Sequence, residues 1–206
     1  MKLRLFLFLL LACTLLAGRA IAQGCSTNPI KFPDPGAADK LVPSGTCIAN
    51  ADGDSRTGQG GRLRWDQPIV GGSTHGLRLY DSDGGGTLLW CANNADNAGG
   101  SSGPSNCLNH EGSILCLQQD GNMVIYVPAP GGPSVIDCNR RDNDGGQPVW
   151  HSATDLNNNV QQQLLVAEEV PFCPLSGGAC TTLHGDRAAI LNGMLGYIWV
   201  SLGYND

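Results

Sequence analysis

The chain reads as an all-β protein in which three small sheets share one tryptophan-centred core. Three observations predict this. Glycine is abundant, 29 of 206 residues, and charged residues make up only 15%. With many Asn and Asp between short apolar runs, that composition favours short strands and tight turns over helices. The second observation is an internal repeat. Leu77-Arg78-Leu79-Tyr80, a turn, then Leu88-Leu89-Trp90-Cys91-Ala92-Asn93 parallels Met123-Val124-Ile125-Tyr126, a long turn, then Pro148-Val149-Trp150-His151-Ser152. A weaker third copy couples the Cys180 to Asp186 stretch with Ile198-Trp199-Val200-Ser201. The third observation is that each copy contributes one tryptophan: Trp90, Trp150 and Trp199. Large aromatics at equivalent positions suit a centre where three sheets meet.

In chain order, Lys2 and Arg4 precede an apolar run from Leu5 to Ala17, and Ala20-Ile21-Ala22 supplies a small-x-small cleavage site. Residues 1–22 are therefore expected to be a signal peptide, with a secreted mature chain starting at Gln23. Leu10-Leu11-Ala12-Cys13 loosely resembles a lipobox, but the apolar run continues past it. Of nine cysteines, Cys13 falls in the signal. The remaining Cys25, Cys47, Cys91, Cys107, Cys116, Cys138, Cys173 and Cys180 read as disulfides, as an even count does after an export signal. Roughly a hundred pairings are combinatorially open. Residues 23–59, rich in Cys, Gly and Pro, look like an irregular stapled arm or the start of the domain, and 60–204 form its body.

Strands are expected at Arg62 to Trp65, Leu77 to Tyr80 and Thr87 to Trp90, with Asp81-Ser82-Asp83-Gly84-Gly85-Gly86 as a turn. Gly99 to Asn109 and Pro128 to Gln147 read as insertions, each carrying cysteine. Disulfides there would cap loops that are otherwise costly to order. The tail from Ala188 to Val200 is apolar but broken by Asn192, Gly193 and Gly196, and it is too short to span a bilayer. It reads as a buried strand pair.

The net charge of −6 argues against nucleic acid or an anionic membrane as partner and fits a neutral ligand. The stretch that carries chemistry is Gln118-Gln119-Asp120-Gly121-Asn122-Met123-Val124-Ile125-Tyr126. Read as an extended strand, it puts Gln118, Asp120, Asn122, Val124 and Tyr126 on one face and Gln119, Gly121, Met123 and Ile125 on the other. A carboxylate, two amides and a phenol around one branched aliphatic can donate to and accept from several hydroxyls at fixed spacing. A sugar ring presents such hydroxyls.

These residues match Q-x-D-x-N-x-V-x-Y at all five defining positions, and Trp150-His151-Ser152-Ala153-Thr154 matches W-x-S-x-T. The chain thereby resembles the bulb-type, or monocot, mannose-binding lectins over about residues 60 to 204. The resemblance implies a β-prism II fold, with three four-stranded antiparallel sheets around a pseudo-threefold axis. It implies that Asp120 and Asn122 hold the axial O2 of mannose, Gln118 holds O3, Tyr126 holds O4, and Val124 packs on the ring carbons. No metal or cofactor enters that scheme. Members of the family commonly form dimers or tetramers, so a homo-oligomer that binds mannose-containing glycans or glycoproteins is expected. The other copies lack the pattern. The first has Gly72, Thr74, Gly76 and Arg78 before Tyr80, and the third has His184, Asp186, Ala188, Ile190 and Asn192. One working site per chain follows.

Rival readings are weaker. A lectin-like scaffold with a vestigial pocket could act by protein contact, as a defence protein, toxin or inhibitor. An enzyme is not expected, because Gly53-Asp54-Ser55 has no matching base and Glu168-Glu169 reads as a solvated pair. Asp81-Ser82-Asp83 and Asp142-Asn143-Asp144 lack the closing glutamate of a calcium loop, and His75, His110, His151 and His184 lack zinc spacing.

Overall fold

A computed structural model describes residues 25–50, 61–67, 76–81, 87–92, 107–108, 111–130, 137–139, 146–154, 161–172, 179–193 and 196–201. Twelve strands and no helix occur among them, in three four-stranded sheets. The first sheet orders β3 (Thr46–Ala49), β4 (Arg62–Asp66), β5 (Gly76–Tyr80) and β6 (Leu88–Cys91). The second orders β2 (Lys40–Val42), β7 (Ile114–Leu117), β8 (Met123–Pro128) and β9 (Gly146–His151). The third orders β1 (Ile30–Lys31), β10 (Gln162–Phe172), β11 (Thr181–Asn192) and β12 (Gly196–Val200). Neighbours pair antiparallel, apart from one parallel bridge between Phe172 and Tyr197.

The arm expected to be irregular instead supplies the fourth strand of every sheet. Pro and Gly break it into pieces of two to four residues. Pieces that short have no readable period, and they become strands only because each finds an open sheet edge.

One pairing scheme recurs three times. Trp90 lies opposite Leu79, Trp150 opposite Ile125, and Trp199 opposite Ile190. Each pair is followed by a register shift at the same place, between Leu79 and Tyr80, Ile125 and Tyr126, and Ile190 and Leu191. A bulge there bends each outer strand and turns its tryptophan inward. The three indoles meet edge to face, with centroids 5.5–6.0 Å apart. Such contacts add about 0.5–1.5 kcal/mol each beyond area burial. Among the described residues, Trp90 and Trp199 leave Nε1 buried without a hydrogen-bond partner. Leu63, Leu77, Leu79, Leu115, Leu117, Met123, Ile125, Leu164, Ala188 and Ile190 complete the centre.

Cys25–Cys47, Cys91–Cys107 and Cys116–Cys138 are disulfide-bonded, and Cys180 is also in a disulfide. The second and third of these bridges tie the two insertions back to strands β6 and β7. Three disulfides are consistent with an extracellular protein. The apolar tail forms the end of β11 and β12, buried at Ala188, Ala189, Ile190, Ile198, Trp199 and Val200. No described helix is long and apolar enough to cross a membrane.

Candidate functional site

The Gln118 to Tyr126 stretch is a hairpin rather than one extended strand. Gln118 to Asn122 form the turn between β7 and β8, and the strand begins only at Met123. Gln118 N donates to Asn122 O at 2.8 Å and Gly121 N to Gln118 O at 3.0 Å. Asp120 Oδ1 accepts from Asn122 N at 3.0 Å, an Asx turn, and Gly121 takes φ +90°, which favours glycine. The Asp-Gly dipeptide was the signal for this in the sequence.

Neighbouring segments clamp the turn on several sides. Ser152 Oγ donates to Asn122 Oδ1 at 3.0 Å and accepts from Met123 N at 3.0 Å. Thr154 Oγ1 donates to Gly121 O at 2.6 Å and lies 2.7 Å from Ser152 Oγ. Thr154 N also approaches Asn122 Oδ1 at 3.5 Å, which fixes the orientation of that amide. From the N-terminal segment, Asp39 Oδ1 accepts from Gln119 N at 3.0 Å, and Gly36 N donates to Gln119 Oε1 at 2.7 Å. Under the turn lies Gln162 of β10, only 2% exposed, with its amide against Gly121. Asp39, just before β2, and Gln162, at the start of β10 in another sheet, carry no signal in the sequence, because both lie far from the turn along the chain.

The clamps leave a specific pair of atoms for chemistry. Among the described residues, Asp120 Oδ2 and Asn122 Nδ2 have no hydrogen-bond partner, and neither is buried. One is an acceptor and the other a donor, and a single hydroxyl can donate to the first while accepting from the second. Gln118 Nε2 donates to the Tyr126 hydroxyl at 2.9 Å, in the buried floor beside them. Gln118 is 4% exposed, Tyr126 5% and Val124 3%. Cys138, bonded to Cys116, packs with Ile114, Val124 and Tyr126 over this face of the sheet. The structure thus brings Gln118, Asp120, Asn122 and Tyr126 together, and it places Val124 beneath the Cys138 segment.

The other two sheets fill the equivalent position with their own atoms. Ser152 N donates to Met123 O, Ser201 N to Ala188 O, and Ala92 N to Leu77 O, so Met123, Ala188 and Leu77 are equivalent. The third copy is therefore offset by one from the alignment read in the sequence. Arg187 stands where Asn122 does, Ala189 where Val124 does, and Leu191 where Tyr126 does. Arg187 donates to Ser201 O at 3.3 Å and to His184 O at 3.2 Å. The outer face of that sheet is closed because β10 also reaches β12 and rolls the sheet around Val170, Ala189 and Val200. In the first copy Gly76, at φ +132°, replaces Asn122, and a Cβ there would lie 2.5 Å from Leu108 O. Gly72 and Thr74 lie outside the described residues.

A shallow hollow at the ends of β8 and β9, lined by Glu111, Val127, Pro128, Gln147 and Val149, includes none of the five motif residues. His184 pairs with Glu169 at 3.3 Å on an exposed surface, and His151 Nδ1 accepts from Ala153 N at 3.2 Å. Among the described residues no three His, Cys, Asp or Glu side chains gather as metal ligands. His75, His110, Gly53-Asp54-Ser55, Ser82, Asp83 and Asp142-Asn143-Asp144 lie outside the described residues.

No protein-family description, curated protein or solved structure matches the chain.

Proposed function

We propose that this is a secreted carbohydrate-binding protein of the bulb-type lectin kind, built as a β-prism II, that takes terminal mannose without metal at the Asp120–Asn122 turn. The observation that carries the reading is the complementary pair on one turn, Asp120 Oδ2 and Asn122 Nδ2, with Asp120 Oδ1 held by Asn122 N and the Asn122 amide oriented by Ser152 and Thr154. An axial hydroxyl that donates to the carboxylate and accepts from the amide satisfies both. The epimer with an equatorial hydroxyl leaves a polar group unpaired, at about 1–3 kcal/mol. The three four-stranded sheets and the common tryptophan centre support the prism.

Burial of Val124 and Tyr126 under Cys138 directs a sugar to the Asp120 edge of the turn, with Gln118 and Tyr126 as its floor. A site this shallow binds in the millimolar range, about −4 kcal/mol. Several sites on one homo-oligomer then supply avidity through effective concentration. The test is binding to mannose-bearing glycans, competed by free mannose and lost in Asp120→Ala, together with the solution mass and agglutination of mannose-coated beads.

The 3% exposure of Val124 favours a second reading, a lectin-like scaffold whose pocket is closed and which acts by protein contact. That reading predicts no glycan binding by the wild type and no change in activity in Asp120→Ala.

A further inference from the structure

We propose that the outer face of the first sheet is a second binding site, for a saccharide that carries one carboxylate or sulfate. Leu63, Trp65, Leu77 and Leu79 are 1–3% exposed and face the core. Alternation then sends Arg62, Arg64, Arg78 and Tyr80 to the other side. One row runs across all four strands, Cys47–Arg64–Arg78–Cys91, and the next places Arg62 opposite Tyr80. The Cys25–Cys47 and Cys91–Cys107 bridges stand at the two ends of the first row.

Side chains opposed in this way lie about 4.5–5.5 Å apart at Cβ, and like charges directly opposite repel. Beyond residue 22 the chain has only nine Lys and Arg, and three of them are on this face. The repulsion is felt locally. Burial, and then the nearby Arg64 charge, hold the Arg62 guanidinium below its ordinary value.

An oxyanion beside Arg64 meets a row rich in positive charge. The groups in reach are defined. Arg64 has its side chain 47% exposed, and its one ion pair among the described residues, to Asp66 at 3.7 Å, runs through Nε. Among the described residues its terminal nitrogens and the Tyr80 hydroxyl have no hydrogen-bond partner. A guanidinium fork meets a carboxylate or sulfate in two parallel bonds. Tyr80 lies diagonally across from Arg64, within reach of a ligand held there. Arg78, 7% exposed, adds charge from beneath.

The choice of a saccharide rests on the carbohydrate reading of the second sheet. Tyr80 occupies the position of Tyr126, and Arg78 that of Val124. The aliphatic wall of a neutral-sugar site is thus replaced by cations beside a retained phenol. The chain's net charge of −6 repels long polyanions, so a short ligand with one anionic group fits best.

The test titrates the full mature chain with a sulfated disaccharide, a uronate disaccharide, their neutral counterpart and inorganic sulfate. The two acidic sugars bind at least about tenfold tighter than the neutral one and weaken with added salt. Arg64→Gln removes that advantage, and Tyr80→Phe weakens the sugars but not inorganic sulfate. Arg64→Gln leaves any response to mannose at Asp120 unchanged. Acidic sugars no tighter than the neutral one, or indifferent to Arg64→Gln, overturn the proposal. Inorganic sulfate binding as tightly as the sulfated sugar overturns the saccharide assignment. Acidic-sugar binding in a chain that ignores mannose would sink the reading of the Asp120 turn and leave this site standing.

Discussion

Two glycines with nearly the same backbone and different surroundings separate strain from packing at the motif turn. Gly121 has φ +90° and Gly185 has φ +83°. Alanine at either costs about 1–2 kcal/mol for the left-handed backbone alone. Nothing lies within 4 Å of a Cβ on Gly185, whereas a Cβ on Gly121 would overlap the Gln162 amide. Gln162 is 2% exposed and cannot swing into water. It must leave its rotamer and push its neighbours, adding about 2–3 kcal/mol. Gly121→Ala is therefore expected to lose about 3–5 kcal/mol, against about 1–2 for Gly185→Ala. For a chain of this size the difference is about 4–12 °C in Tm. Thermal and denaturant unfolding of the two variants measure it. Adding Gln162→Ala to Gly121→Ala is expected to recover most of the difference. Equal destabilisation by the two alanines, or no recovery, refutes the contact between β10 and the turn.

The other expectations follow from the same geometry. Ser152→Ala removes the donor to Asn122 Oδ1 and the acceptor for Met123 N. It is expected to cost about 1–3 kcal/mol in stability and to weaken mannose binding, by denaturant melts and titration. Trp150→Ala empties the centre of the three-ring cluster and is expected to cost about 3–5 kcal/mol, with loss of the indole near-ultraviolet dichroism. Cys116→Ser with Cys138→Ser opens a bridge of sequence separation 22 and is expected to cost about 3 kcal/mol. It also uncovers Val124 and Tyr126, which nitration of Tyr126 reports.

Much of the fold was legible because burial imposes period two. Leu63 and Trp65 against Arg64, or Leu77 and Leu79 against Arg78, declare an inward face, and three tryptophans declare where the faces meet. The short strands at Ile30, Lys40 and Thr46 were not legible, since their state depends on edges far away in sequence. The third copy was misaligned by one residue because Ile190 resembles Val124 in kind, while pairing with Trp199 makes it the counterpart of Ile125. At the candidate site the residue types were legible and the backbone was not. Asp120-Gly121-Asn122 obeys turn chemistry before it obeys alternation. The cover over Val124 depends on which cysteine meets Cys116, a pairing that spacing alone leaves open.

The account turns on whether one hydroxyl closes the gap between a carboxylate oxygen and an amide nitrogen. Titrating the isotope-labelled mature chain with methyl mannoside, and separately with its C2 epimer, reads this directly through the Asn122 side-chain amide protons. The account predicts a saturable shift of those protons with the mannoside, little with the epimer, and none of it in Asp120→Ala. An Asn122 amide that stays still under both sugars contradicts it.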